Sequence, residues 1–132
     1  FPEGVVFDEP TVEYSYKCDE LNDPLICEPH IYAMKIASKE DVKTIEKYAL
    51  KVNEVLKEFW KDCGSTLVDF KLEFGRTSDG TIILADEISP DTSRIWDSAT
   101  GMKLDKDRFR QDLGGVEDAY SEVMKRLEMH DK

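Results

Sequence analysis

Thr66-Leu67-Val68-Asp69-Phe70-Lys71-Leu72-Glu73-Phe74 is the stretch on which the fold turns. Val68, Phe70, Leu72 and Phe74 fall on one face and Asp69, Lys71 and Glu73 on the other, the period of two that an extended strand imposes. Asp79-Gly80 then supplies a hairpin turn pair, and Thr81-Ile82-Ile83-Leu84-Ala85-Asp86 a returning strand. With Asp79 and Gly80 as the two loop residues, Ser78 opposes Thr81 and Glu73 opposes Asp86. Carboxylates facing each other on one sheet face repel unless a cation lies between them. Oxygen-only ligands suit magnesium, which takes one or two carboxylates and fills its other positions with water and phosphate. Lys71, on the same face, suits a phosphate or carboxylate, and Asp69 extends the ionic row. The plain alternative is a solvated sheet face, which antiparallel sheets commonly have.

Working outward, Ser38 with Asp41 reads as a capping box, followed by Val42, Ile45, Ala49, Val52, Leu56 and Phe59 at spacings of three and four. The spacing predicts a helix that ends at Gly64 and runs roughly 37 Å. Upstream, Val12–Lys17 alternates like a strand and stops at the turn Asn22-Asp23-Pro24, with Lys17, Asp19 and Asp23 around it. Beyond the hairpin, Asp105 is placed to cap a short helix through Gln111. Gly114-Gly115 interrupts it, and Val116, Ala119, Tyr120, Val123 and Leu127 mark a final amphipathic helix. The sum is an α+β fold in one domain, 1–132: an antiparallel sheet packed with one long helix and carboxyl-terminal helices.

Composition narrows the function. Twenty-nine acidic against 18 basic side chains give a net charge of −11. That argues against nucleic acid and anionic membrane as partners, since both need positive potential. Nothing in the sequence approaches the length of a membrane span or carries the basic start and apolar run of a secretion signal, so a cytoplasmic location is expected. Cys18, Cys27 and Cys63 lack the short paired spacings of zinc or redox sites and read as reduced thiols. His30 and His130 stand alone, which gives triad hydrolysis little support. Against this acidic background, Asp91-Thr92-Ser93-Arg94 with Lys103, Lys106, Arg108 and Arg110 forms a dense local cluster suited to an anion, or else a solvated helix face. Neither a Walker loop nor G-x-G-x-x-G is present.

Leu67-Val68-Asp69-Phe70-Lys71-Leu72-Glu73-Phe74-Gly75, Ala85-Asp86-Glu87-Ile88-Ser89-Pro90-Asp91-Thr92-Ser93-Arg94-Ile95-Trp96-Asp97 and Leu104-Asp105-Lys106-Asp107-Arg108-Phe109-Arg110-Gln111-Asp112-Leu113-Gly114-Gly115 resemble the phosphoribosylaminoimidazole-succinocarboxamide synthase (SAICAR synthetase) family. Lys17-Cys18-Asp19 with Asn22-Asp23-Pro24 extends the likeness, with Cys18 where Asn is common and Ser65-Thr66 in place of a more apolar pair. The resemblance covers the second half of the family's usual length. It implies the second lobe of an ATP-grasp or kinase-like architecture, the amino-terminal nucleotide-binding lobe lying outside this chain. It further implies a purine-biosynthesis ligase that joins L-aspartate to carboxyaminoimidazole ribotide, using ATP and Mg2+. By the same likeness Glu73 and Asp86 are ligands of metal and nucleotide phosphate. Lys71, Lys17 and Asp23 surround the reacting groups, and Asp69, Asp91, Arg94, Lys106 and Arg110 bind the ribotide. A small-molecule kinase with a similar metal site and a non-catalytic fragment are the alternatives, and self-association is left open.

Overall fold

The computed structural model describes residues 1–86, 88–89, 92–105, 107 and 114–130. The chain divides into two compact units, Phe1–Leu50 and Lys51–Lys132.

In the first unit, β1 (Tyr14–Ser15) pairs antiparallel with β2 (Leu25–Ile26) around a 3-10 turn at Asp19–Leu21. The strand predicted over Val12–Lys17 is thus only two residues long, although Tyr16 N–H still reaches Pro24 O at 2.9 Å. Asn22 and Asp23 both take left-handed backbone conformations (φ 56° and 49°), which fold the chain back sharply. Helix α1 (Glu28–Ala33) is capped by Cys27. His30, expected to stand alone, meets Cys27 through Nδ1, 3.2 Å from Sγ and 3.3 Å from the backbone N–H, a reciprocal cap. Burial pushes the Tyr14 hydroxyl up to about 12, aided by Glu46 and Glu28.

Helix α2 (Lys39–Asp62) matches the predicted span. Its capping box is formed: Ser38 N–H donates to Asp41 Oδ2 at 3.0 Å, and Asp41 N–H to Ser38 Oγ at 3.1 Å. Gly64, at φ 72°, supplies the left-handed residue that ends it.

The second unit is built on β3 (Ser65–Phe70), β4 (Phe74–Arg76), β5 (Ile82–Leu84), β6 (Ser93–Asp97) and α3 (Val116–His130). Its core joins Trp60, Ile95, Leu104, Ala119 and Val123, with Leu56, Phe59, Cys63, Leu67 and Leu127 against them. Full burial of a large apolar side chain such as Ile95 or Leu104 stabilises the fold by about 1.5–3 kcal/mol.

The single strand predicted from Thr66 to Phe74 is two strands with different partners, because β3 pairs with β6 and β4 with β5. Within β3, Leu67 faces Ile95 and Asp69 faces Arg94, leaving Val68 as a bulge. In a regular strand Leu67 and Asp69 would share a face. The extra residue keeps Leu67 against the core and turns Asp69 to the opposite face with Arg94, while Val68, expected in the apolar row, is exposed.

Candidate active site

The hairpin register corrects the expected opposition of Glu73 and Asp86. Phe74 pairs with Leu84 and Arg76 with Ile82, and Thr77 N–H donates to Thr81 O at 2.9 Å, so three residues form the loop. Gly80 takes φ 88° there, as a three-residue hairpin requires of its last position. Asp79 drives the choice. Its carboxylate accepts from the Thr77 hydroxyl and, at 3.0 Å, from Thr81 N–H, and these bonds pull its pKa down to about 2. Ala85 therefore stands across from Glu73, its N–H donating to Glu73 O at 2.8 Å, and Asp86 lies one residue further on.

Lys71 and Glu73 share a face as expected. Lys71 Nζ lies 3.2 Å from Glu73 Oε1, with the lysine side chain 53% and the glutamate 20% exposed. With the lysine half exposed the pair contributes little stability, so Lys71 can turn to a ligand at small cost. The donor chemistry suits magnesium, since Glu73 and Asp86 are hard oxygen ligands, but this register does not set the two directly opposite each other. Among the described residues no group of three His, Cys, Asp or Glu converges. A two-carboxylate contribution is what an ion held mainly by water and phosphate needs.

Asp69 and Arg94, distant in sequence, are brought together: Arg94 Nη1 meets Asp69 Oδ2 at 2.6 Å. A partner that sequence reasoning missed completes the group, because Arg94 Nε donates to Asp107 Oδ2, also at 2.6 Å. Burial opposes the guanidinium charge, yet the bonds to Asp107 and Asp69 outweigh it and hold the Arg94 pKa above its ordinary value. Beneath them Asp105, fully buried, accepts Ile95 N–H at 2.6 Å and Asp107 N–H at 2.8 Å. The second bond is the cap contact expected of Asp105, and the helix predicted to follow lies outside the described residues. Burial pushes the Asp105 carboxyl up, against the two N–H donors that favour its charge.

On the same face of β6 as Arg94, Trp96 carries Lys103 Nζ 5.7 Å above its ring, so Lys103 of the predicted anion cluster is a cation on an aromatic. Lys17 and Asp23 belong to the first unit, where Asp23 Oδ1 accepts Cys18 N–H at 2.8 Å and closes the turn that carries both. Asp91, Lys106 and Arg110, together with Arg108, lie outside the described residues. All three cysteines are free, and among the described residues no helix is long and apolar enough to cross a membrane.

Known proteins resemble this chain along most of its length. A phosphoribosylaminoimidazole-succinocarboxamide synthase of Coprothermobacter proteolyticus is 58% identical over 125 residues, which are 95% of this chain and 53% of that protein. A solved SAICAR synthetase in complex with ADP superposes with a TM-score of 0.90 at 52% identity, covering 96% of this chain and 54% of the other. The SAICAR synthetase of Pyrococcus horikoshii gives 0.89 at 52%, covering 96% and 55%. The chain thus spans about half the length of the relatives it matches. With the SAICAR synthetase family model matching residues 1–127, the chain belongs to the SAICAR synthetase family.

Proposed function

We propose that this chain forms part of an ATP-dependent ligase of purine biosynthesis that joins L-aspartate to carboxyaminoimidazole ribotide, giving SAICAR, ADP and phosphate. The observation that carries the reading is the 0.90 superposition, at 52% identity, on a SAICAR synthetase that holds ADP. In the reaction, a ribotide carboxylate oxygen takes the γ-phosphoryl group of ATP and ADP leaves. The aspartate amine then attacks the acyl carbon, phosphate departs, and the nitrogen gives up a proton. Such chemistry asks the protein for positioning and cationic stabilisation and for no nucleophile of its own. Lys71 is the nearby cation for developing phosphoryl charge, and Arg94 with Asp69 is the polar group for the ribotide. Asp91, Lys106 and Arg110 are assigned to the same ligand by family likeness, and Lys17 and Asp23 to the reacting groups. Glu73 and Asp86 would hold magnesium, which when bound neutralises phosphate charge. A nucleotide-binding lobe outside this chain supplies the phosphate loop that the sequence lacks. Free thiols and the use of ATP suit the cytoplasm.

Assay of the intact enzyme for ADP release tests the reading. Release is expected to need both ribotide and aspartate, and this chain alone is expected to be inactive. ADP release that ignores aspartate would overturn the ligase in favour of a kinase, and full turnover by the chain alone would overturn the division of the site.

A further inference from the structure

Arg94 is held from two edges by unequal partners. Asp107, whose side chain is 9% exposed, takes Nε, and Asp69, 53% exposed, takes Nη1. Two bonds on different edges fix both the plane and the spin of the guanidinium, and Nη2 has no hydrogen bond among the described residues. The charge pair in the drier setting is the stronger, because water screens the exposed carboxylate. Asp107 is placed in turn by Asp105, whose two oxygens tie the Asp107 backbone to that of Ile95, next to Arg94 on β6. We infer that Asp107 is a positioning residue, which aims Arg94 at the ligand while Asp69 is the partner an incoming anion can displace. The inference rests on Arg94 binding the ribotide as proposed above. Without Asp107 the arginine stem regains its rotamers, and binding must then order it again.

The test uses the intact enzyme with D107N, D107E, R94A and the D107N/R94A double variant, reading KM for the ribotide, kcat and the Arg94 Nε–H signal by NMR. D107N is expected to raise KM roughly tenfold, the scale of one charged hydrogen bond, with kcat nearly unchanged. It is also expected to speed solvent exchange of the Nε–H, because a neutral amide oxygen accepts more weakly than a carboxylate. D107E, which keeps the charge, should raise KM less, and adding D107N to R94A should raise it no further. An Nε–H as protected in D107N as in the wild type, or a KM effect that adds in full to that of R94A, overturns the inference. So does a normal D107N KM beside a raised R94A KM, which leaves the ribotide reading of Arg94 intact. An unchanged KM in R94A overturns that reading itself. Should D107N fail to fold, D107E decides on the same readings, a wild-type KM and protected Nε–H counting against the inference.

Discussion

Two arginines tie down the strand Ser93–Asp97, and they do so in different ways. Arg126, 16% exposed, uses its guanidinium on Gly64 O at 3.0 Å, Ser65 Oγ at 2.9 Å, Glu122 Oε1 at 2.9 Å and Asp97 Oδ2. Arg94, 36% exposed, meets only two carboxylates and keeps Nη2 clear of the described residues. The first binds α3 to the start of β3 and the end of β6, and the fold takes four of its five N–H donors. The second has an edge left for something else. Number of bonds and access to water separate a scaffold arginine from the one proposed to bind a ligand, where charge alone does not.

The largest effect expected from that contrast is in stability. R126A removes four partners and leaves the largely buried Asp97 carboxylate without its cation, so it should cost about 3–5 kcal/mol in urea unfolding. R94A breaks two bonds instead of four, and one of them is to the water-exposed Asp69, so it should cost less, about 2–3 kcal/mol, and should act chiefly on KM for the proposed ribotide. The reverse order of stability losses would erase the distinction.

Acid titration separates the two ends of β6 next. The Arg126 bond, with the Thr100 and Ala99 N–H groups, holds Asp97 well below the usual carboxylate range. Its contribution is complete above the unfolded pKa of about 3.9 and disappears as pH falls through the depressed folded value. Asp105 has the opposite sign. Its raised folded pKa brings a penalty that grows as pH rises from about 3.9 and is complete above that raised value. Carboxyl carbon NMR should place the two on either side of the ordinary range, and R126A should return Asp97 toward it.

The hairpin, which among the described residues bonds to neither arginine, should respond least. G80A forces a β-carbon into a left-handed position and is expected to cost about 1 kcal/mol. The Asp79 carboxyl should titrate at about 2, and a midpoint near the ordinary value would remove the reason for the three-residue loop.

What the sequence disclosed follows the same division. Helix α2 was legible because its cap, apolar spacing and terminal glycine are all local, and Ser38, Asp41 and Gly64 do what their chemistry predicts. The family was legible in continuous motifs. Register was not, because Asp79-Gly80 resembles a two-residue loop until the Thr77 hydroxyl is counted as a partner of Asp79. Nor was the change of strand partner after Phe70, since alternation shows that a segment is extended and says nothing of its neighbour. Asp107 and Arg126 escaped for a related reason: each is an ordinary charged residue until distant backbone brings its counterpart within reach.

Val68 deserves to be seen as an aiming device. A bulge bends its strand and adds twist, so the direction in which residues 71–73 leave the β6 ladder for the second hairpin is fixed three positions upstream by a residue with no ladder partner. Excising Val68 would leave Asp69 across from Arg94 yet straighten the strand beneath Lys71 and Glu73. A one-residue deletion there would spare every charge and still point two of them elsewhere.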